Sequence, residues 1–109
     1  MIMSAFLESV GKVANASDCR DFYFPQAIKS PARKENVRTM DDGARAIGAY
    51  AIVENQGDLK INQEHRNIYL YGDGHCVDVH LSQMFFKPEK DELALRRVTQ
   101  SITLVPLDK

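Results

Sequence analysis

The sequence lacks an excess of charge of either sign. Its 14 basic and 15 acidic residues give a formal net charge of −1 at pH 7, so no overall field attracts nucleic acid or an anionic membrane surface. It also lacks any apolar run near the roughly 20 residues of a membrane span. We therefore expect neither nucleic acid nor a membrane as a partner.

Cysteine is scarce, with only Cys19 and Cys76 in the chain. Two cysteines exclude a disulfide-rich scaffold, and they leave either one bridge in an oxidising compartment or two buried thiols. The first residues carry no basic region before their apolar part, which a secretory signal would have. The sequence accordingly favours a cytoplasmic protein. The alternative is a periplasmic or secreted protein with a Cys19–Cys76 disulfide.

Several motifs that identify enzymes are missing. The sequence contains no phosphate-binding loop, no dinucleotide-binding glycine pattern, no G-x-S-x-G and no H-E-x-x-H. A chain of 109 residues is long enough for one domain, residues 1–109, with a core that needs no metal. These absences favour a non-catalytic protein without a cofactor.

Chemically versatile side chains are concentrated in residues 66–82, RNIYLYGDGHCVDVHLS. Asp73-Gly74 is typical of a two-residue hairpin turn, because both central residues of such a turn need positive φ. Apolar and polar residues alternate on both sides of it, as in half-buried strands. With Gly72 opposite His75, all the apolar residues share one face. The opposite, polar face then carries Asn67, Tyr69, Tyr71, Cys76, Asp78 and His80.

The rest of the chain predicts an α+β fold. Apolar spacing indicates a helix over residues 3–15, and aromatic residues before Pro25 indicate a short edge strand over 21–25. Residues 44–54 are ambiguous between helix and strand, and their β-branched residues favour a strand that forms a second hairpin with 58–61. Pro88 is suited to the first turn of a helix, and a last short strand follows at 103–105. We expect an antiparallel sheet with the N-terminal helix and the helix near the C-terminus packed on one face.

The order strand–turn–strand–helix–short strand in the last forty or so residues resembles small PsbP/Mog1-like domains. The resemblance is one of element order, and it implies a fold without implying a function.

The polar face of the hairpin is the candidate binding surface. If both helices cover the other face, this face is open to a protein partner, because tyrosines offer large contact area with a hydrogen-bonding tip. The sequence thus predicts a small accessory protein of the inhibitor or immunity type, and a homodimer is also plausible. The predicted binding residues are Asn67, Tyr69, Tyr71, Asp78 and His80.

An enzyme centred on the same strand is the alternative. Cys76, Asp78 and His80 alternate along the strand, so all three project from one face. Their thiolate, carboxylate and imidazole groups are all zinc ligands, and His65 on the neighbouring strand would be a fourth. Alternatively, Cys76 is a nucleophile with His80 or His75 as its base. Residues along a flat strand diverge, which weighs against both versions.

Overall fold

The computed structural model describes residues 1–9 and 13–105, with the backbone alone at residues 8 and 9. Five strands form one antiparallel sheet in the order β1-β5-β4-β3-β2. The elements in chain order are β1 (Ile2–Ser9), α1 (Ala16–Ala27), β2 (Glu35–Asp42), β3 (Arg45–Gln56), β4 (Leu59–Gly72), β5 (His75–Met84) and α2 (Pro88–Ser101). Neither helix in this part of the chain is long and apolar enough to cross a membrane.

The central hairpin has the predicted turn and register. Asp73 and Gly74 have φ values of 52° and 75°, as the two-residue turn requires. Gly72 pairs with His75, and the ladder continues without a shift to the end of β5. Turn chemistry and alternation agree here, so the local sequence is sufficient to determine the pairing.

The ambiguous segment 44–54 is a strand, as its β-branched residues indicated. It lies in β3, and β3 forms a second hairpin with β4 in which Gln56 pairs with Leu59. Gly57 has φ of 61° in the two-residue turn between them, a conformation that glycine adopts at little cost. Both predicted hairpins are therefore confirmed.

The predicted class, an antiparallel sheet with a helix towards each end of the chain, is confirmed. The two helices differ from the expectation in lying on opposite faces of that sheet. On one face, Cys19 and Phe24 of α1 pack with Tyr50 and Tyr69. On the other face, α2 contributes Leu95, whose neighbours in the second apolar cluster are Ile47, Ile68, Leu70, Val79 and Leu81. The polar face also contains enough aromatic and small residues to bury a helix.

The predictions for residues 3–25 are wrong. Residues 2–9 form strand β1 rather than a helix, because their backbone groups pair with β5. The predicted edge strand 21–25 lies inside α1, and Pro25 is part of that helix. Helix α1 begins after Asn15, whose side-chain oxygen accepts a hydrogen bond from the backbone N–H of Asp18 at 2.8 Å. Of the predicted helix, residues 10–12 lie outside the described part of the chain.

Helix α2 begins at Pro88, as predicted, and its first turn is acidic. The Asp91 carboxylate accepts hydrogen bonds from the backbone N–H groups of Phe86 and Lys87, both at 2.9 Å. The predicted strand 103–105 is wrong, since residues 102–105 have no regular structure. The element order that resembles PsbP/Mog1-like domains therefore holds only as far as α2.

Candidate functional site

Helix α1 covers much of the polar face that was predicted to be open. It packs on β3 and β4, and Tyr69 and Cys76 beneath it are fully buried. Asn67 is also buried, whereas Tyr71, Asp78 and His80 are half-buried. The expectation of an open face is wrong, because it placed both helices on the other side of the sheet. The five predicted binding residues do not form one accessible surface.

Tyr69 and Asn67 contribute to the interior beneath α1. The Tyr69 hydroxyl has no hydrogen-bond partner among the described residues. Burial, with smaller contributions from Asp78 and Tyr50, raises the pKa of this phenol. The Asn67 Nδ2 group donates to the Asp78 carboxylate at 3.2 Å. The Asn67–Asp78 hydrogen bond links β4 to β5, and the buried side chains of Asn67 and Tyr69 are closed to a macromolecular partner.

Two histidines are brought together across β4 and β5. Nδ1 of His65 lies 2.9 Å from Nε2 of His80, and Nε2 of His65 lies 2.7 Å from Oε1 of Gln63. Because the amide oxygen can only accept, Nε2 of His65 carries a proton and donates it. In the neutral pair, Nδ1 of His65 is then the acceptor for the N–H at Nε2 of His80. One tautomer of each ring therefore satisfies both hydrogen bonds, from His80 to His65 and from His65 to Gln63.

Aromatic packing surrounds the histidine pair. The His65 ring stacks on Tyr50 with 4.9 Å between ring centroids, and Nζ of Lys34 lies over the Tyr50 ring, 5.8 Å from its centroid. The pKa of His65 is lowered to about 4, mainly by burial and to a smaller extent by the neighbouring His80 and Lys34. Burial likewise lowers the pKa of His80. At neutral pH both rings are therefore uncharged.

The predicted zinc site does not form in this structure. Cys76 forms a disulfide with Cys19, so its sulfur is not a thiolate and cannot bind zinc together with Asp78 and His80. Within residues 1–9 and 13–105, no three histidine, cysteine or acidic side chains converge as a metal site would. His65 does approach His80, as expected, but the two rings hydrogen-bond to each other.

The predicted thiol nucleophile is also wrong for this form of the protein. A disulfide sulfur offers no thiolate to attack a substrate, and the bridge holds α1 against β5. His75, one of the two proposed bases, contacts the backbone oxygen of Asp73 at 2.7 Å instead. Cys76 therefore belongs to the buried cluster beneath α1 together with Tyr69.

Strand β1 presents the most exposed apolar side chains next to these residues. It forms one edge of the sheet and pairs with β5. Four large apolar side chains on this strand are 58–69% exposed, and exposed apolar residues that lie close together often mark an interaction site. They are Ile2, Met3, Phe6 and Leu7.

Register assigns the β1 side chains to the two faces. Ser4 pairs with His80 and Phe6 with Asp78, and directly paired residues project from the same face. Ile2, Ser4 and Phe6 therefore lie beside the two half-buried polar residues of β5, outside the area that α1 covers. We call this set the β1–β5 surface: Ile2, Ser4, Phe6, Asp78 and His80.

The sequence contained a signal for this surface that helical spacing obscured. Apolar residues stand at both odd and even positions of residues 1–7, which suits a strand with apolar side chains on both faces as well as it suits a helix. Only pairing with β5 distinguishes the two, and that is a long-range contact. Comparison with protein-family models, curated proteins and solved structures gives no match for this chain.

Proposed function

We propose that the protein is a non-catalytic module that binds another protein through the β1–β5 surface. The observation that carries this proposal is the exposure of Phe6 and Ile2, at 58% and 69%, beside Asp78 and His80. Apolar side chains at the centre of such an area contribute affinity, and polar neighbours contribute orientation. The proposal keeps Asp78 and His80 of the predicted binding residues and replaces Asn67, Tyr69 and Tyr71 by residues of β1.

A protein is the class of partner that this surface suits. Phe6 is an aromatic anchor of the kind that dominates protein–protein affinity when a partner pocket encloses it. Residues 1–7 carry no charged side chain, whereas contacts with nucleic acid depend on lysine and arginine. We accordingly propose neither nucleic acid nor a membrane as the partner.

The alternative of a metal or thiol enzyme has less support. Its central residue, Cys76, is fully buried and bonded to Cys19. The proton positions of the histidine pair are accounted for by the hydrogen bond between the two rings and by the one from His65 to Gln63. We therefore assign Cys76 and His65 to stability rather than to chemistry.

We also propose that the protein functions in an oxidising compartment, such as the periplasm or the cell exterior. The Cys19–Cys76 disulfide supports this over the cytoplasmic alternative, because such bridges persist where thiols are not kept reduced. Alkylation of free thiols in intact cells, followed by intact mass measurement, tests it. We expect no alkylated cysteine, and a doubly alkylated protein would contradict the proposal.

The binding proposal is tested by partner capture with matched variants. Wild-type protein, Phe6→Lys and Leu59→Lys are each tagged and used to capture proteins from the source cells. Leu59 is a matched control because it is 71% exposed and lies at the far hairpin of β3 and β4. We expect a specific partner with wild type and Leu59→Lys, and at least a tenfold loss of it with Phe6→Lys. Equal recovery by all three proteins would contradict the proposal.

A further inference from the structure

The two edges of the sheet differ in how they are protected against pairing. The outer strand β2 has a register shift between Glu35 and Arg38, and Asn36 within it has φ of 52°. It also bears charged side chains along its length. Those charged residues are Glu35, Arg38, Asp41 and Asp42.

Strand β1 has fewer of these protective features, and its one charged residue is Glu8, next to its C-terminal end. Residues 1–7 include neither a charged residue nor a proline, and the pairing of β1 with β5 shows no register shift. Natural proteins protect sheet edges with bulges, charges or proline, because an unprotected edge pairs with another strand. The contrast with β2 therefore indicates that β1 is paired in the functional protein.

We propose that the strand that pairs with β1 is β1 of a second copy of this chain, in an antiparallel dimer. The absence of charged side chains on residues 1–7 supports this occupant, because the facing side chains of two identical copies of this segment meet without like-charge repulsion. The inference rests on the proposed function in that the same strand supplies the apolar part of the β1–β5 surface. It adds the identity of a partner at the strand's edge.

The symmetry of the dimer restricts its register. A two-fold axis perpendicular to a continuous sheet keeps each face on the same side in both copies. Alternate side chains of a strand lie on opposite faces, so an even-numbered residue of β1 must pair with an even-numbered residue of the second copy, and an odd-numbered residue with an odd-numbered one. Centring the axis on Ser4 pairs residues 1–7 only with one another. Ile2 then faces Phe6 of the second copy on one side of the sheet, and Met3 faces Ala5 of the second copy on the other.

A head-to-tail assembly, in which β1 of one copy pairs with β2 of the next, is disfavoured by the protective features of β2. Pairing of β1 with β2 of another copy would leave two edges open again and would extend into a fibre. The shift and charges of β2 oppose it. Pairing of β1 with itself closes the assembly at two copies and leaves only the two protected β2 edges exposed.

The dimer would also double the proposed binding area. Because the axis is perpendicular to the sheet, the β1–β5 surfaces of both copies lie on the same side and meet along the β1 strands. A partner with two equivalent segments would then bind with an avidity that neither copy has alone.

Sedimentation equilibrium of the purified protein tests the dimer. We expect a concentration-dependent mass that reaches twice the 12.3 kDa of one chain. Met3→Lys, on the face opposite the β1–β5 surface, should raise the dissociation constant at least tenfold, and Leu59→Lys should leave it unchanged. A monomer mass at all accessible concentrations would overturn the inference, as would equal dissociation constants for the three proteins.

A cross-linking measurement covers the case in which Met3→Lys fails to fold. Both native cysteines are in the disulfide, so Ser4→Cys adds the only free thiol, at the proposed axis. The control is Asp58→Cys, because Asp58 is exposed and lies in the β3–β4 turn, away from the proposed axis. In a redox buffer we expect Ser4→Cys to form a cross-linked dimer at least tenfold faster than Asp58→Cys. Equal rates would overturn the inference. If the protein is monomeric and Phe6→Lys still loses the captured partner, the dimer is refuted and the proposed function stands.

Discussion

His65 and His80 share a hydrogen bond between ring nitrogens, with Nδ1 of His65 2.9 Å from Nε2 of His80. The rings are stacked with centroids 5.1 Å apart. A bond between two imidazoles needs one donor and one acceptor, so it breaks when both facing nitrogens carry protons. The hydrogen bond is therefore lost when both rings are charged, and burial disfavours the charge on His65 itself.

This relationship predicts a loss of stability in mild acid. The pKa of His65 is lowered from 6.5 to about 4. Between these two pH values the unfolded chain binds a proton at His65 and the folded chain does not. The free energy of unfolding therefore falls as the pH is lowered from about 6.5 towards about 4, and no further below that. We expect His65 to contribute a loss of about 2 kcal/mol between pH 7 and pH 4.5.

Urea denaturation at the two pH values measures this loss. Carboxylates also titrate in this range, so the comparison is between wild type, His65→Gln and the control His75→Gln. His65→Gln should show the smaller pH dependence, and His75→Gln should match wild type, because the His75 ring contacts the turn at Asp73 instead. The same pH dependence in all three proteins would show that the pair does not limit acid stability.

The Cys19–Cys76 disulfide should contribute strongly to stability. It links positions 57 residues apart in sequence, and the chain-entropy model assigns about 4 kcal/mol to a loop of that size. Denaturant unfolding with and without a reductant measures the contribution, with Cys19→Ser/Cys76→Ser as the reference for the reduced chain. Coincident unfolding curves for oxidised and reduced wild type would contradict the prediction.

Gly48 leaves room for the Phe24 ring of α1. A Cβ atom at Gly48 would overlap that ring, which is itself buried against the sheet. Overpacking of this kind costs about 1–3 kcal/mol, so Gly48→Ala should lower the free energy of unfolding by that amount. Gly72→Ala is the matched control, since its Cβ would meet only the Leu104 side chain at 2.9 Å. Equal effects of the two substitutions would argue against close packing of α1 on β3.

Arg66 connects the sheet to α2 through charge. Its side chain is buried, forms an ion pair with Glu92 of α2, and lies 3.9 Å from Glu64. Removing Arg66 leaves the buried Glu64 with Arg38 as its remaining partner and breaks the link to Glu92, so Arg66→Met should destabilise the fold by about 1–3 kcal/mol. The exposed pair of Arg33 and Glu35 provides the control, because Arg33→Met should cost less than about 0.5 kcal/mol. Chemical denaturation of both variants decides the ranking, and similar values would contradict it.

The central hairpins could be predicted because their information is local. Asp73-Gly74 needs the positive φ that it adopts, and a slip of one residue would have mixed the two faces of β4 and β5. Pro88 similarly marks the first turn of α2. In each case neighbouring residues contain the physical reason for the structure.

The N-terminal elements could not be predicted because their structure depends on distant residues. The aromatic residues before Pro25 form part of α1 only because the sheet and the bridge from Cys19 to Cys76 hold them there. The helical spacing of Met3 and Phe6 coincides with a strand whose pairing partner lies about 75 residues away in sequence. The candidate site moved with these elements, from the face that α1 covers to the strand at the edge.

Hydrogen exchange along β1 tests the proposed binding role most directly. The purified protein is labelled alone and with its captured partner, and the amide protection of β1 is compared with that of β2. Partner binding at the β1–β5 surface should increase protection in β1 and leave β2 unchanged. Increased protection confined to β2 or α2, with β1 unaffected, would contradict the assignment of the binding surface to β1 and β5.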